Sequence, residues 1–230
     1  MNVNGSVERP PRLILISPGS PRLSAWTRWI GELEAHEDAA LLIREPVIEE
    51  SRIERVLAAC TDKWRAILHV KTPKYRTYLA RDAGLGVHYS RPLLDHAPEP
   101  REARLIGYSC HSAAELERAF LWGASYALLS PIFKPTSKAS DERAPLGISA
   151  MRHLASERPV LALGGINADR FREVVRVGGY GGAVLGHVLA AANFGEARRN
   201  WEKLRQVLIE RARGELEANE VRTKRDDSRT

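Results

Sequence analysis

The chain has 230 residues, 43% of them hydrophobic, with 35 Lys and Arg against 29 Asp and Glu, a formal net charge of +6 at pH 7. No apolar run approaches the roughly 20 residues needed to cross a bilayer, and the opening MNVNGSVERPPR lacks the apolar stretch of a signal peptide; the reading is a cytoplasmic protein without a membrane partner. The basic excess lies in segments such as EARRNWEKLRQ and VRTKRDDSRT, interleaved with acids as on a solvated surface, so no nucleic-acid partner is expected.

Residues 1–11 read as a disordered N-terminus, 12–219 as a single domain and 220–230 as a charged tail, with disorder expected from about Glu220 onward. Within the domain, short apolar runs alternate with helix-like segments, which is the sequence form of a parallel α/β fold. The candidate strands are Arg12 to Ile16, Ala40 to Arg44, Arg65 to Val70, Leu85 to Tyr89, Leu105 to Ser109, Tyr126 to Ser130, Val160 to Leu163 and Gly182 to Leu185. They are continuous Leu/Ile/Val/Ala runs rather than strict alternations, as strands covered by helices should be. Eight of them predict a (β/α)8 barrel.

Helix punctuation supports this order. Ser112 and Glu115 form a capping-box pattern before Leu116, and Gly123 closes that helix. Asn167 is placed to cap ADRFREVVRV, with Gly178 and Gly179 ending it. Trp201, Leu204 and Leu208 give helical spacing to the last segment. Cys60 and Cys110 suit a reducing compartment.

In such barrels the site lies at the C-terminal ends of the strands, and phosphate often sits on the last two loops. Gly164 and Gly165 end the seventh run just before the Asn167 helix, and Gly186 ends the eighth. Without Cβ atoms they let backbone N–H groups reach a phosphate, and helix N-termini after both loops would add to its binding. The long loop SPIFKPTSKASDERAPLG contributes Ser130, Thr136, Ser137, Lys138 and Arg143, as ligand-orienting hydroxyls and cations. His69, His88, His111 and His187 fall at or near strand ends, where acid–base and structural roles are both open; His187 directly follows the phosphate glycine.

The stretch from Ile106 to Leu189, through IGYSCHS, GASYALLSPIFKPTSK, APLG, GGIN and AVLGHVL, resembles the second half of the thiamine phosphate synthase/TenI family, with LLIRE and GVH a looser match in the first half. The resemblance implies coupling of hydroxymethylpyrimidine diphosphate to thiazole phosphate with release of pyrophosphate, and Mg2+ as the family's cofactor. It implies Arg44 near the pyrophosphate and Ser109 beside the pyrimidine. Ser137 and Lys138 would sit on the flexible loop, and Gly164, Gly165 and Gly186 on the thiazole phosphate. Catalytic roles fall to Ser109, Lys138 and His187, and substrate contacts to Arg44, Ser130, Thr136 and Ser137.

The chain departs from that family at its magnesium carboxylates. HVKTPKYR replaces the Asn-Asp pair after strand three, and HYSRPLLD replaces the acidic turn after strand four, with Asp95 the nearest substitute. TenI-type tautomerases act without metal through a histidine that is Pro131 here. A synthase, a metal-free tautomerase and a non-catalytic binder of a phosphorylated heterocycle therefore all stay open, as does a homodimer.

Overall fold

The computed structural model describes residues 8–19, 22–44, 56–58, 60, 63–70, 85–91, 103–134, 143–154 and 158–227. The strands are β1 (Leu13–Ile16), β2 (Ala39–Ile43), β3 (Arg65–Val70), β4 (Gly86–Tyr89), β5 (Ile106–Cys110), β6 (Tyr126–Leu129), β7 (Val160–Ala162) and β8 (Gly181–Val184). Each expected strand is present with its ends displaced by at most one residue. All neighbours are parallel, and β8 returns to β1 through Leu13↔Gly182 and Leu15↔Val184, closing an eight-stranded barrel.

Alternation along the strands separates two buried layers. Ile14, Ile16, Ala40, Leu42, Ile67, Tyr126, Leu128, Leu161 and Ala183 fill the inside of the barrel. Leu13, Leu15, Leu41, Leu68, Val87 and Leu129 point outward into the layer shared with the helices. Most strands are therefore apolar on both faces, which is why the runs read as continuous in the sequence.

The described helices are α1 (Leu23–Glu32), α2 (Ala113–Leu121), α3 (Ile148–Leu154), α4 (Ala168–Arg176) and α5 (Phe194–Asp227). Ser112 caps α2, its Oγ accepting from the Glu115 N–H at 3.2 Å, while the Glu115 carboxylate accepts from the His111 N–H at 2.7 Å. Asn167 caps α4, its Oδ1 accepting from the Arg170 N–H at 2.9 Å. On α5, Trp201 is fully buried, packs on Trp64 with ring centres 5.2 Å apart and donates its indole N–H to the Glu34 carbonyl at 2.8 Å.

Two expectations about the ends of the chain are corrected. The segment read as disordered from Glu220 is helical through Asp227, because residues 211–227 are rich in helix-forming Glu, Arg, Lys and Ala and carry pairs such as Arg211 to Glu215 at 3.0 Å. At the other end, residues 8–10 are held by the foot of the barrel. Arg65 Nε donates to the Glu8 carboxylate at 2.9 Å, Arg65 Nη2 to the Arg9 carbonyl at 2.6 Å, and the Tyr180 hydroxyl to the Pro10 carbonyl at 2.7 Å.

Candidate functional site

The strand β7 ends in two consecutive glycines with positive φ, +99° at Gly164 and +63° at Gly165, a conformation other residues rarely adopt. A Cβ on Gly165 would come within 2.6 Å of the Lys134 carbonyl oxygen, so the β6 loop packs directly on this turn. Gly186, after β8, has no positive φ, and a Cβ there would meet only Ala190 at 3.9 Å. The glycine keeps cavity space clear rather than permitting a special backbone. The expected helix start directly after Gly186 is not seen: residues 187–190 form turns and α5 begins at Phe194, so only the β7 loop leads straight into a helix N-terminus.

Gly164, Gly165, Gly186 and His187 line one cavity of about 610 Å³, together with Ser130, Arg143, Asn167, Arg170 and Asn200. Among the described residues, none accepts a hydrogen bond from the backbone N–H of Gly164, Gly165, Gly186 or His187. Four unspent donors at the wall of one cavity suit an anion. Both turns are braced. Arg170 Nη1 donates to the Gly165 carbonyl at 2.6 Å and its guanidinium lies 4.9 Å from the Phe133 ring centre. Arg22 Nη1 donates to the Ala190 and Ala191 carbonyls at 2.8 and 2.9 Å, and Asn200 Nδ2 donates to the His187 carbonyl at 2.7 Å.

The cavity's other polar side chains include Arg143, His187, the amide of Asn167 and the carboxylate of Glu196. Arg143 is exposed at the mouth, with Nη1 2.7 Å from His111 Nδ1. That His111 nitrogen lies 2.8 Å from the Ser130 carbonyl and 3.2 Å from Ser130 Oγ. His187 Nε2 is buried and, among the described residues, without a hydrogen-bond partner. Burial lowers the His187 pKa, against the opposing field of Glu196, so the ring favours its neutral form.

The interior below the mouth is polar on one side. His88 is buried between Ser109, whose Oγ is 2.9 Å from Nε2, and Tyr126, whose hydroxyl is 3.1 Å from Nδ1. His69 on β3 stacks against His88 with ring centres 6.0 Å apart. Burial, reinforced by His69, lowers the His88 pKa well below its ordinary value.

A family model described as "Thiamine monophosphate synthase" matches residues 52–188, more than half of the chain. The chain belongs to the thiamine phosphate synthase/TenI family. It is 31% identical over 168 residues to the thiamine-phosphate synthase of Pyrococcus furiosus, covering 72% of this chain and 78% of that one. The Chloroflexus aurantiacus thiamine-phosphate synthase is 36% identical over 111 residues, 47% of this chain and 51% of the relative. The chain thus spans about half the length of several of the curated relatives it matches. Among solved structures, thiamine phosphate pyrophosphorylase from Pyrococcus furiosus superposes with a TM-score of 0.64 at 25% identity, covering 87% of this chain and 96% of that one. The 3-hexulose-6-phosphate synthase of Salmonella typhimurium shares the fold at 15% identity and TM-score 0.59, covering 87% and 99%.

Within this thiamine phosphate synthase/TenI barrel the sequence-derived residues fall into three groups. Ser130, Gly164, Gly165, Gly186 and His187 converge on the cavity. Ser109 does not line it; it stands at the end of β5, bonded to His88. Arg44 follows β2, where its backbone N–H donates to Ser17 Oγ at 2.7 Å and its side chain has no partner among the described residues. Thr136, Ser137, Lys138 and Asp95 lie outside the described residues. Arg170, Asn200, Arg22 and Tyr126 were missed because arginines and asparagines on helices, like a tyrosine opening a strand, carry no local signature; only their place in the fold brings them to the site.

Mg2+ demands oxygen ligands, and the described ends of β3 and β4, which lead into the segments where the family carries its carboxylates, do not supply them. The ends of β3 and β4 present the imidazoles of His69 and His88, and neither residues 65–70 nor 85–91 contain a carboxylate.

Proposed function

We propose that this protein is a transferase of thiamine biosynthesis that joins hydroxymethylpyrimidine diphosphate to thiazole phosphate and releases pyrophosphate. The observation that carries the reading is the set of four N–H donors on the β7 and β8 turns, without an acceptor among the described residues, in the wall of one cavity that also includes two arginines. In this reading the thiazole phosphate monoester is held by the backbone at Gly164, Gly165, Gly186 and His187, with Arg143 and Arg170 balancing its charge. The pyrimidine sits over Ser109 at the end of β5. Arg44, together with Lys138, Thr136 and Ser137 of the loop after β6, takes the diphosphate.

The thiazole nitrogen attacks the pyrimidine methylene, the C–N bond forms, and the C–O bond to the diphosphate breaks with its electron pair leaving on pyrophosphate. Arginine and lysine side chains stabilise the growing negative charge on the leaving group. Because residues 65–70 and 85–91 carry no carboxylate, no step is routed through a metal. The same observation favours a second reading, a metal-free thiazole tautomerase or a non-catalytic binder, in which the cavity and His187 suffice.

The test is to incubate the purified protein with both substrates, with Mg2+ or with a chelator, and follow thiamine phosphate by mass spectrometry. Slow product formation that changes little on chelation is expected, since a metal clamp contributes several kcal/mol and hence orders of magnitude in rate. No product, alongside measurable binding of thiazole phosphate, selects the second reading.

A further inference from the structure

The strands β4, β5 and β6 bring three polar side chains into contact inside the barrel. We infer from their hydrogen bonds that Tyr126 fixes His88 as the Nε2–H tautomer and so holds Ser109 as a hydrogen-bond donor toward the barrel mouth, for an acceptor atom in the ring of a bound heterocycle. Tyr126 is thereby a positioning residue, acting through His88. The donor role rests on the proposal that a heterocycle sits over β5; the tautomer assignment does not.

Tyr126 is fully buried and points across the barrel, and it does so through the lane left by Gly107, where any Cβ would collide with the phenol ring. Its hydroxyl has one hydrogen-bond partner among the described residues, His88 Nδ1 at 3.1 Å. If Nδ1 carried the proton, the phenol would accept and its own O–H would be left buried without an acceptor. If the phenol donates, only an oxygen lone pair is left over, which is the lesser cost.

The phenol therefore donates to Nδ1, and the ring proton resides on Nε2. His88 is 1% exposed, and the stacked His69 ring at 6.0 Å further disfavours a cation, so the ring has one proton to place. Nε2–H then donates to Ser109 Oγ at 2.9 Å. Ser109 keeps its own hydroxyl proton, finds no other partner among the described residues, and is part-exposed near the C-terminal end of β5. In the opposite tautomer the Ser109 hydroxyl would spend its proton on Nε2 and could only accept; with the Nε2–H tautomer its O–H stays available for a ring nitrogen or carbonyl oxygen.

The tautomer is read from nitrogen-15 imidazole correlation spectra of the unliganded protein, with the His88 signal assigned by its loss in His88→Gln. The expected result is a neutral ring protonated at Nε2 in the wild type and a mixture of tautomers in Tyr126→Phe. An Nδ1–H or doubly protonated ring in the wild type, or an unaltered ring in Tyr126→Phe, overturns the inference. The donor role is read from titration with hydroxymethylpyrimidine diphosphate. Tyr126→Phe and Ser109→Ala should each weaken binding about fivefold, and the double variant should be no weaker than Ser109→Ala alone. Additive losses contradict a coupled chain. Absence of binding to the wild type refutes the pyrimidine reading and the donor role with it, while the spectrum alone judges the tautomer.

Discussion

Gly165 and Gly186 flank the same cavity for different physical reasons, and substitution separates them. At Gly165 the left-handed backbone opposes a side chain, and so does the Lys134 carbonyl oxygen, 2.6 Å from where a Cβ would stand. Gly165→Ala should therefore destabilise the protein by about 1–3 kcal/mol, seen as a lower Tm. At Gly186 a methyl group meets nothing nearer than 3.9 Å, so Gly186→Ala should leave Tm unchanged yet weaken binding of thiazole phosphate, because the methyl occupies ligand space. A large Tm loss in Gly186→Ala would mean that this glycine serves the fold. The sequence exposed both glycines, since a strand ending in glycine before a helix cap is a local pattern. It did not expose which was conformational and which spatial, because that depends on the β6 loop lying against β7. His88 was visible as a strand-end histidine, but its partners Ser109 and Tyr126 come from strands 21 and 38 residues away.

The elements that carry these residues were legible from their apolar runs, since most strand residues are buried and hydrophobic on both faces. Their caps were legible as well: Ser112 and Asn167 make the hydrogen bonds that their spacing implied. The last helix was read too short. α5 continues past the barrel, and its Arg211 and Glu215 close the foot of the barrel. Arg12 donates to both oxygens of Glu215 at 2.8 Å, and Arg211 donates to the Gly179 and Tyr180 carbonyls at 3.1 and 2.7 Å. Burial raises the Glu215 pKa, but the Arg211 hydrogen bond and the Arg12 charge outweigh it, and the net shift is downward. A carboxylate with a lowered folded pKa stabilises the protein above its unfolded pKa, about 4.3, and that stability is lost as pH falls through the folded value. Glu215→Gln should cost about 1 kcal/mol at pH 7, a modest figure because the side chain is half-exposed, and the difference should shrink toward zero below about pH 4. A Tm difference that persists undiminished at pH 3 would show that the contact does not act through charge.

At the scale of the whole molecule, the barrel splits its mouth into two halves. The half formed by β6, β7 and β8 gathers backbone donors unspent among the described residues, with Arg143, Arg170 and His187, around one cavity. Across the mouth, β3, β4 and β5 carry His69, His88 and Ser109, with Ser109 part-exposed and bonded to the buried His88, and with no carboxylate for Mg2+ among residues 65–70 and 85–91. The first half was readable because glycine turns are written locally. The residues of the second were readable singly but not their meeting, because that arises from strand register, His69 against His88, which no local pattern reports. The central claim is that the β7 and β8 turns bind a phosphate monoester, and calorimetric titration with thiazole phosphate tests it most directly, comparing the wild type with Gly186→Asp. The aspartate sets a like charge and a side chain where the phosphate would lie, and the predicted result is an affinity at least about tenfold weaker than that of the wild type. Equal affinity in the two proteins would contradict the site.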